Sequence, residues 1–346
     1  MHALLRKLGD PQRAYPAIHV VGTNGKSTTT RATAALLRGE GLRTGATTSP
    51  HVAGWSERIQ VDGRDADFEA AVGRVRAAAE ETGATQFETI TAAALAAFAD
   101  AGVDVAVVEA GLGGRLDATN VLDAPVVVLT NVALDHTDVL GDTREAIAAE
   151  KLAVVRPGAT VVLGEPEWRD AARVTGAADV VAVSASGHGL EPDRQIAAAA
   201  AAAFLGRAVG ENALRDAEGL AGRYDRRSDG ELRDGAHNPA GAAHLARTLG
   251  PIDAVLVVGL VADKDVDGVL RELSALGRTL VATSSTSGRS LAADALADRA
   301  RVHFTHVETV VDPGAALMRG RELAGPDGMV LVTGSLYLLA DLHAVA

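Results

Sequence analysis

Four short aliphatic runs constrain this chain more than any other feature: "AIHVV" (17–21), "VDVAVVEA" (103–110), "APVVVLTNV" (124–132) and "ATVVLG" (159–164). None alternates apolar with polar residues, as a strand with one wet face must, so each is expected to be buried on both sides. Helical patterns lie between them: "STTTRATAALLRGEG" (27–41), "FETITAAALAAFADAG" (87–102) and "TREAIAAEKLAVV" (143–155). That alternation predicts an α/β fold with a parallel sheet covered on both faces. A second series follows in "DAVLVVGL" (253–260), "RTLVATSS" (278–285), "VHFTHVE" (302–308) and "GMVLVTGSLY" (328–337). The stretch 206–233 is rich in Gly and charge and reads as holding no buried strand. A boundary near residue 220 divides the chain into domains 1–219 and 220–346.

Composition narrows the function classes. A length of 346 residues suits two domains, and 47% hydrophobic with 23% charged residues fits a soluble globular protein. The alanine-rich runs are too weakly apolar to span a membrane, and no membrane partner is expected. A net charge of −12 argues against nucleic acid. With no cysteines, thiolate metal sites and disulfides are excluded, and without an export signal segment a cytoplasmic location is expected. An acidic protein that binds anions needs local devices such as glycine loops and cations.

"HVVGTNGKSTTT" (19–30) is such a device. A buried strand runs into a Gly-rich turn, then Lys26 and Ser27, then a helix. This order points backbone N–H groups and a helix N-terminus at an anion, with Lys26 reaching phosphate oxygens and a hydroxyl free for Mg²⁺. The strict eight-residue pattern is not met, because Val20 stands where its first glycine belongs. In "VVEAGLGGRLDATN" (107–120), Glu109 ends a strand where an aliphatic residue would be expected. Parallel sheets bind ligands beyond the carboxyl ends of their strands, so this hard oxygen ligand suits Mg²⁺ on nucleotide phosphates. In "LTNVALDHTDVLGDT" (129–143), a third strand delivers Asp135 and His136 to the same edge. Ser49 and His51 of "TTSPHVAGW" could contact metal or phosphate, or simply form a turn.

Later, "LRDGAHNPAGAAHLA" (232–246) sets Asp234, His237 and Asn238 before a helix. Asp suits ribose hydroxyls, His or Asn suits phosphate or base, and Asn238 with Pro239 equally suits a helix cap. Arg223 is either a hinge cation that swings onto phosphate or a solvated linker charge. Lysine is rare: only Lys7, Lys26, Lys151 and Lys264 accompany 29 arginines. Unlike guanidinium, a lysine amine can lose its proton and be covalently modified.

Taken in order, "GTNGKS", "TSPHVAGWSERIQVDG", "VDVAVVEAGLGGRLDATNV", "LDHTDVLGDTREAIAAEKLAVVRPG", "LAGRYD", "DGAHNP", "ADKD" and "TGSLYL" resemble the folylpolyglutamate synthase/dihydrofolate synthase family of Mur-type amide ligases. The resemblance implies an N-terminal parallel-sheet P-loop ATPase domain and a smaller C-terminal Rossmann-like α/β domain that close on one another. It implies Thr23, Asn24, Gly25, Lys26 and Ser27 as the ATP phosphate loop, and Arg223, Asp234 and His237 as further ATP contacts. Ser27, Ser49, Glu109, His136 and Lys151 become Mg²⁺ ligands, with Lys151 carbamylated into an anion. Phe87, Glu88 and Thr89, with Leu116, Asp117 and Ala118, become the pterin-binding surface. Lys26, His136 and Lys151 are the expected catalytic residues. Implied substrates are a folate or dihydropteroate, L-glutamate and ATP, the product being an amide made through an acyl phosphate by a monomer.

The chain departs from the family pattern in places. Ser27-Thr28 directly follows Lys26 where the family reads GTNGKGS, and Ala198 replaces an asparagine expected near adenine. Fewer residues precede "LLRKLGDPQ" than the family carries, so a short form is expected. A Mur-like ligase acting on a different carboxylate, or a nucleotide-binding paralogue that does not ligate, are the alternatives.

Overall fold

The computed structural model describes residues 1–214, 219–227 and 230–344. They form two compact units, Met1–Pro50 with Gly54–Glu218, and His51–Ala53 with Gly219–Ala346. The first unit holds strands β1 (Ala17–Val21), β2 (Thr44–Thr47), β3 (Ile59–Val61), β4 (Arg64–Asp65), β5 (Val105–Glu109), β6 (Val126–Leu129), β7 (Thr160–Leu163) and β8 (Asp179–Ala182). They make one sheet of order β4-β3-β2-β5-β1-β6-β7-β8, parallel except at the β2–β3 and β3–β4 pairs.

Both faces of this sheet are apolar, which is why its central strands read as unbroken aliphatic runs. Ile18, Val20, Val105, Val107, Val126 and Val128 pack with the helices Lys26–Gly39 and Glu191–Leu205. Ala17, Val21, Ala106, Val108, Val127 and Leu129 point the other way, onto the helices Gln86–Ala101 and Arg144–Leu152. The chain leaves β1 for β2 on one side, and β6 lies on the other. Parallel sheets bind ligands where strand order reverses in this way, here at the carboxyl ends of β5, β1 and β6.

The second unit holds β9 (Asp225–Arg226), β10 (Glu231–Asp234), β11 (Val255–Val258), β12 (Thr279–Ala282), β13 (His306–Thr309) and β14 (Val330–Thr333). Their order is β13-β12-β11-β14-β10-β9, parallel but for the β9–β10 pair. Leu256 and Val258 face one apolar layer, Val255 and Val257 the other. His51–Ala53 belongs to this unit, and Val52 is buried in its second layer.

Two sequence readings need correction. The stretch 206–233 does contain a buried strand, because β10 begins at Glu231 and its first three residues are buried. Glu231 pairs there with Arg233 and, at 2.6 Å, with Arg321, so the strand goes under without an uncompensated carboxylate. The run at 302–308 is strand only from His306, since Arg301–His303 form a turn that leaves Val302 exposed.

Candidate active site

The site begins where β1 ends. Gly22 leaves the strand beside Thr130, so closely that a Cβ on it would stand 1.8 Å from the threonine hydroxyl. Gly25 adopts the left-handed region at φ 79° and opens the helix Lys26–Gly39; it has no side chain to cap with, and the Asp193 carboxylate stands where a Cβ on Gly25 would lie. The N-terminus of that fourteen-residue helix offers its dipole and N–H groups to an anion, whether carboxylate or phosphate. The residues after β6 brace the loop. Asn131 accepts from Thr23 N–H through its carbonyl at 3.0 Å and from Asn24 N–H through Oδ1 at 2.9 Å. Thr130 Oγ1 donates to Asn24 O at 2.7 Å. Lys26 Nζ donates to Thr23 O at 3.1 Å.

Glu109, the buried last residue of β5, meets this loop. Its Oε1 accepts from Ser27 Oγ at 3.0 Å, and its Oε2 accepts from Ser49 N–H at 3.0 Å. Three of the residues implied as metal ligands are therefore together. Among the described residues, no three His, Asp or Glu side chains already form a cation site. The donors are instead a hydroxyl and a carboxylate at the mouth of a phosphate cradle, the hard oxygen set that suits Mg²⁺ when phosphate oxygens complete its shell. His136 stands after β6 in the left-handed region, φ 50°, ahead of the short helix Thr137–Leu140. Its backbone N–H donates to Asp135 Oδ1 at 2.9 Å.

Lys151 enters from the helix Arg144–Leu152, which Thr143 caps by accepting from Ala146 N–H. Ile147, Ala148, Lys151 and Leu152 form the buried stripe of that helix, so the lysine occupies a core position. Its Nζ donates to Gly22 O at 2.8 Å, which places it behind the phosphate loop. Burial first, and then the positive charge of Lys26, push its pKa down to about 7; Asp135, Asp117 and Glu150 oppose the shift.

Two of the implied pterin-binding side chains also hold parts of the fold together. Glu88 closes a capping box with Thr85 and pairs with the Met1 amine at 2.7 Å. Hydrogen bonds from that amine and from Thr85 hold its pKa near 2. Asp117 accepts from Thr119 N–H at 2.9 Å and from Leu112 N–H at 2.8 Å, stapling the loop 111–120. Leu116 is 91% exposed at that loop's tip, Ala118 is buried, and Phe87 packs on Gly111, where a Cβ would stand 2.4 Å from its ring. Thr89 bonds back to Thr85 O at 2.9 Å.

In the second unit, Asp234 accepts from Tyr224 N–H at 2.8 Å and from Ala236 N–H at 2.9 Å. Burial pushes its carboxyl pKa up, against those bonds and the charge of Arg223. Arg223 Nη1 donates to Gly222 O at 3.3 Å, and His237 Nδ1 lies 2.8 Å from Gly235 O. Asn238 caps the helix Pro239–Leu249 through Gly241 N–H.

Thr130, Asn131 and His19 escaped the sequence reading. The "TN" that follows "VVVL" at the end of β6 was a usable signal, since residues just beyond a central parallel strand face the ligand edge.

A glycine loop between a central parallel strand and a helix, with a carboxylate at the neighbouring strand end, defines a phosphate-binding α/β protein. The chain belongs to the Mur ligase family: residues 20–201 match the Mur ligase middle domain, and residues 222–336 match the Mur ligase glutamate ligase domain. It is 36% identical over 374 residues to the dihydrofolate synthase/folylpolyglutamate synthase of Mycobacterium tuberculosis, covering 87% of this chain and 77% of that protein. The structure of M. tuberculosis folylpolyglutamate synthase complexed with ADP superposes with a TM-score of 0.91 at 33% identity, over 99% of this chain and 93% of that one. That of the bifunctional enzyme from Yersinia pestis, complexed with AMPPNP and a Mn ion, gives 0.87 at 29% identity, over 99% and 91%. Among the described residues no helix is long and apolar enough to cross a membrane.

Proposed function

We propose that this chain is an ATP-dependent ligase that joins L-glutamate to a folate, forming an amide and releasing ADP and phosphate. The observation that carries the proposal is the 3.0 Å pairing of Ser27 Oγ with the Glu109 carboxylate at the mouth of the phosphate loop. The similarity to folylpolyglutamate synthases over nearly the whole chain supports the choice of substrates.

In this reading Thr23 to Ser27 and the helix N-terminus hold the ATP phosphates, with Lys26 on their outer oxygens. Ser27, Glu109, Ser49, His136 and Lys151 would hold Mg²⁺, which neutralises charge on phosphate oxygens when bound. The carboxylate oxygen of the folate attacks the γ-phosphorus, and the bond to ADP breaks. The glutamate nitrogen, arriving as a neutral amine, then attacks the acyl carbon, the C–O bond to phosphate breaks, and the nitrogen gives up one proton, which the departing phosphate takes up. No protein nucleophile is needed, because the chain acts by holding anions in register and stabilising their charge. Lys151 is assigned as the carbamate: its neutral amine adds CO₂ and loses a proton, which turns a cation into an anionic ligand. Phe87, Glu88, Thr89, Leu116, Asp117 and Ala118 are assigned to the pterin side, and Arg223, Asp234 and His237 to ATP. Residues 1–219 form the ATP-binding domain and 220–346 the ligase domain in this scheme, in a cytoplasmic enzyme.

The test is ADP release by the purified protein with Mg-ATP and L-glutamate, with a reduced folate, with dihydropteroate, or with no acceptor. Turnover that ignores the pterin would point to a different carboxylate substrate. Absence of ATP binding by calorimetry would overturn the ligase assignment.

A further inference from the structure

Strand β1 contains one residue that a parallel core strand has no packing reason to keep. His19 is fully buried between Ile18 and Val20, in a strand whose other side chains are all aliphatic. Burying an imidazole costs free energy unless its polar atoms are used. One of them is: His19 Nε2 lies 2.8 Å from Thr119 Oγ1. The direction of this bond follows from what lies beyond it. Thr119 Oγ1 has a single proton, which it donates to Asp117 Oδ1. Its oxygen can therefore only accept from His19, so Nε2 carries the imidazole proton. Nδ1, which has no partner, is the bare nitrogen. The chain His19–Thr119–Asp117 is thus a one-way series of hydrogen bonds ending on a carboxylate.

Asp117 in turn fixes the loop 111–120 through the N–H groups of Leu112 and Thr119. The far end of the same loop is held separately. Arg156 donates to Asn120 O at 3.1 Å and to Asn120 Oδ1 at 2.8 Å, and Arg115 pairs with Glu150 at 3.1 Å. The backbone ties the residue before the loop to β1, Ala110 N–H donating to Val20 O at 2.9 Å. Among these side-chain contacts of the described residues, His19 is the one that runs from within the loop to β1, the strand that carries the phosphate loop.

We propose that His19, acting through Thr119 and Asp117, is a positioning residue that fixes the acceptor-binding loop 111–120 in register with the phosphate loop. The assignment of that loop to the acceptor rests on the glutamate-ligase reading; the hydrogen-bond series does not.

Two variants test it. His19→Gln keeps an N–H donor near the position of Nε2, whereas His19→Leu fills the space without one. In the Leu variant, amide exchange at Leu112 and Thr119 should quicken about tenfold, and KM for a tetrahydrofolate acceptor should rise about tenfold, the weight of one hydrogen bond. KM for ATP should stay within about twofold, and His19→Gln should restore both readouts. The proposal is overturned if Leu112 and Thr119 exchange at the wild-type rate in His19→Leu, if Gln rescues no better than Leu, or if KM for ATP rises in step. Should the wild-type protein show no folate-dependent turnover, the ligase reading falls, while the exchange measurement still decides the role of His19.

Discussion

Lys151 Nζ donates to the carbonyl of Gly22 at 2.8 Å, so a lysine on the buried face of one helix touches the residue that leads into the phosphate loop. A cation would be out of place here beside Lys26, and burial already favours the neutral amine. If that amine becomes a carbamate, Lys151→Ala should lose at least about 100-fold in ligation rate, at the upper end of what loss of a metal-site partner costs. Added acetate should restore part of the ADP release. Lys151→Arg should stay inactive, because guanidinium forms no carbamate; wild-type turnover in that variant would refute the modification.

The Ser27–Glu109 pair should govern the response to cation. Ser27→Ala and Glu109→Gln are each expected to raise the Mg²⁺ concentration needed for half-maximal turnover by about 10- to 100-fold. Titrating Mg²⁺ at saturating ATP measures this. An unchanged midpoint in both variants would remove the two side chains from the cation site.

Gly22 is expected to tolerate no side chain. A Cβ would lie 1.8 Å from Thr130 Oγ1, and moving that threonine breaks its 2.7 Å bond to Asn24 O. Gly22→Ala should cost about 1–3 kcal/mol of stability, the usual range for overpacking, and weaken ATP binding with it. Urea unfolding and calorimetry on the same sample would show the two losses together; a variant with wild-type values for both would contradict the contact.

Acid stability should report on His19. Burial pushes its pKa from 6.5 down to about 4; Asp117 opposes the shift and Arg156 adds to it. Between those values the unfolded chain takes up a proton that the folded one refuses, so stability falls as pH drops from 6.5 towards 4. The full penalty is about 3 kcal/mol. His19→Gln should remove this contribution, leaving a variant that loses less stability than wild type between neutral pH and pH 4. Parallel unfolding free energies for the two proteins across that range would mean that His19 protonates without cost in the fold.

The parts of the molecule that were legible in advance share one physical property. Apart from His19, Glu109 and Thr160, β1, β5, β6 and β7 are apolar on both faces, and only a strand covered on both sides accepts that pattern. Strands stabilised by pairing rather than by apolar character were invisible. β10, "ELRD", buries a carboxylate and a guanidinium against each other and Arg321, yet its composition reads as solvated. β2, "TGAT", is buried although two of its residues carry hydroxyls, and Gly45 lies where a Cβ would meet the Phe98 ring at 2.7 Å. In the candidate site, the glycine loop and Glu109 were legible because a strand-end acid and a strand–glycine–helix junction have local signatures. The bracing by Thr130 and Asn131, which act on residues more than 100 positions away, was not.

By itself the sequence determined the alternation of buried strands and helices, the phosphate loop and the order of the ligase motifs, because these depend on near neighbours in the chain. Only the tertiary structure decided which groups meet. Ser27 and Glu109 are 82 residues apart, His19 and Thr119 are 100, and Lys151 and Gly22 are 129. Each pair is brought within hydrogen-bonding distance by the placement of β5, β1 and β6 side by side, and that order is set by packing both faces of the sheet rather than by any local pattern.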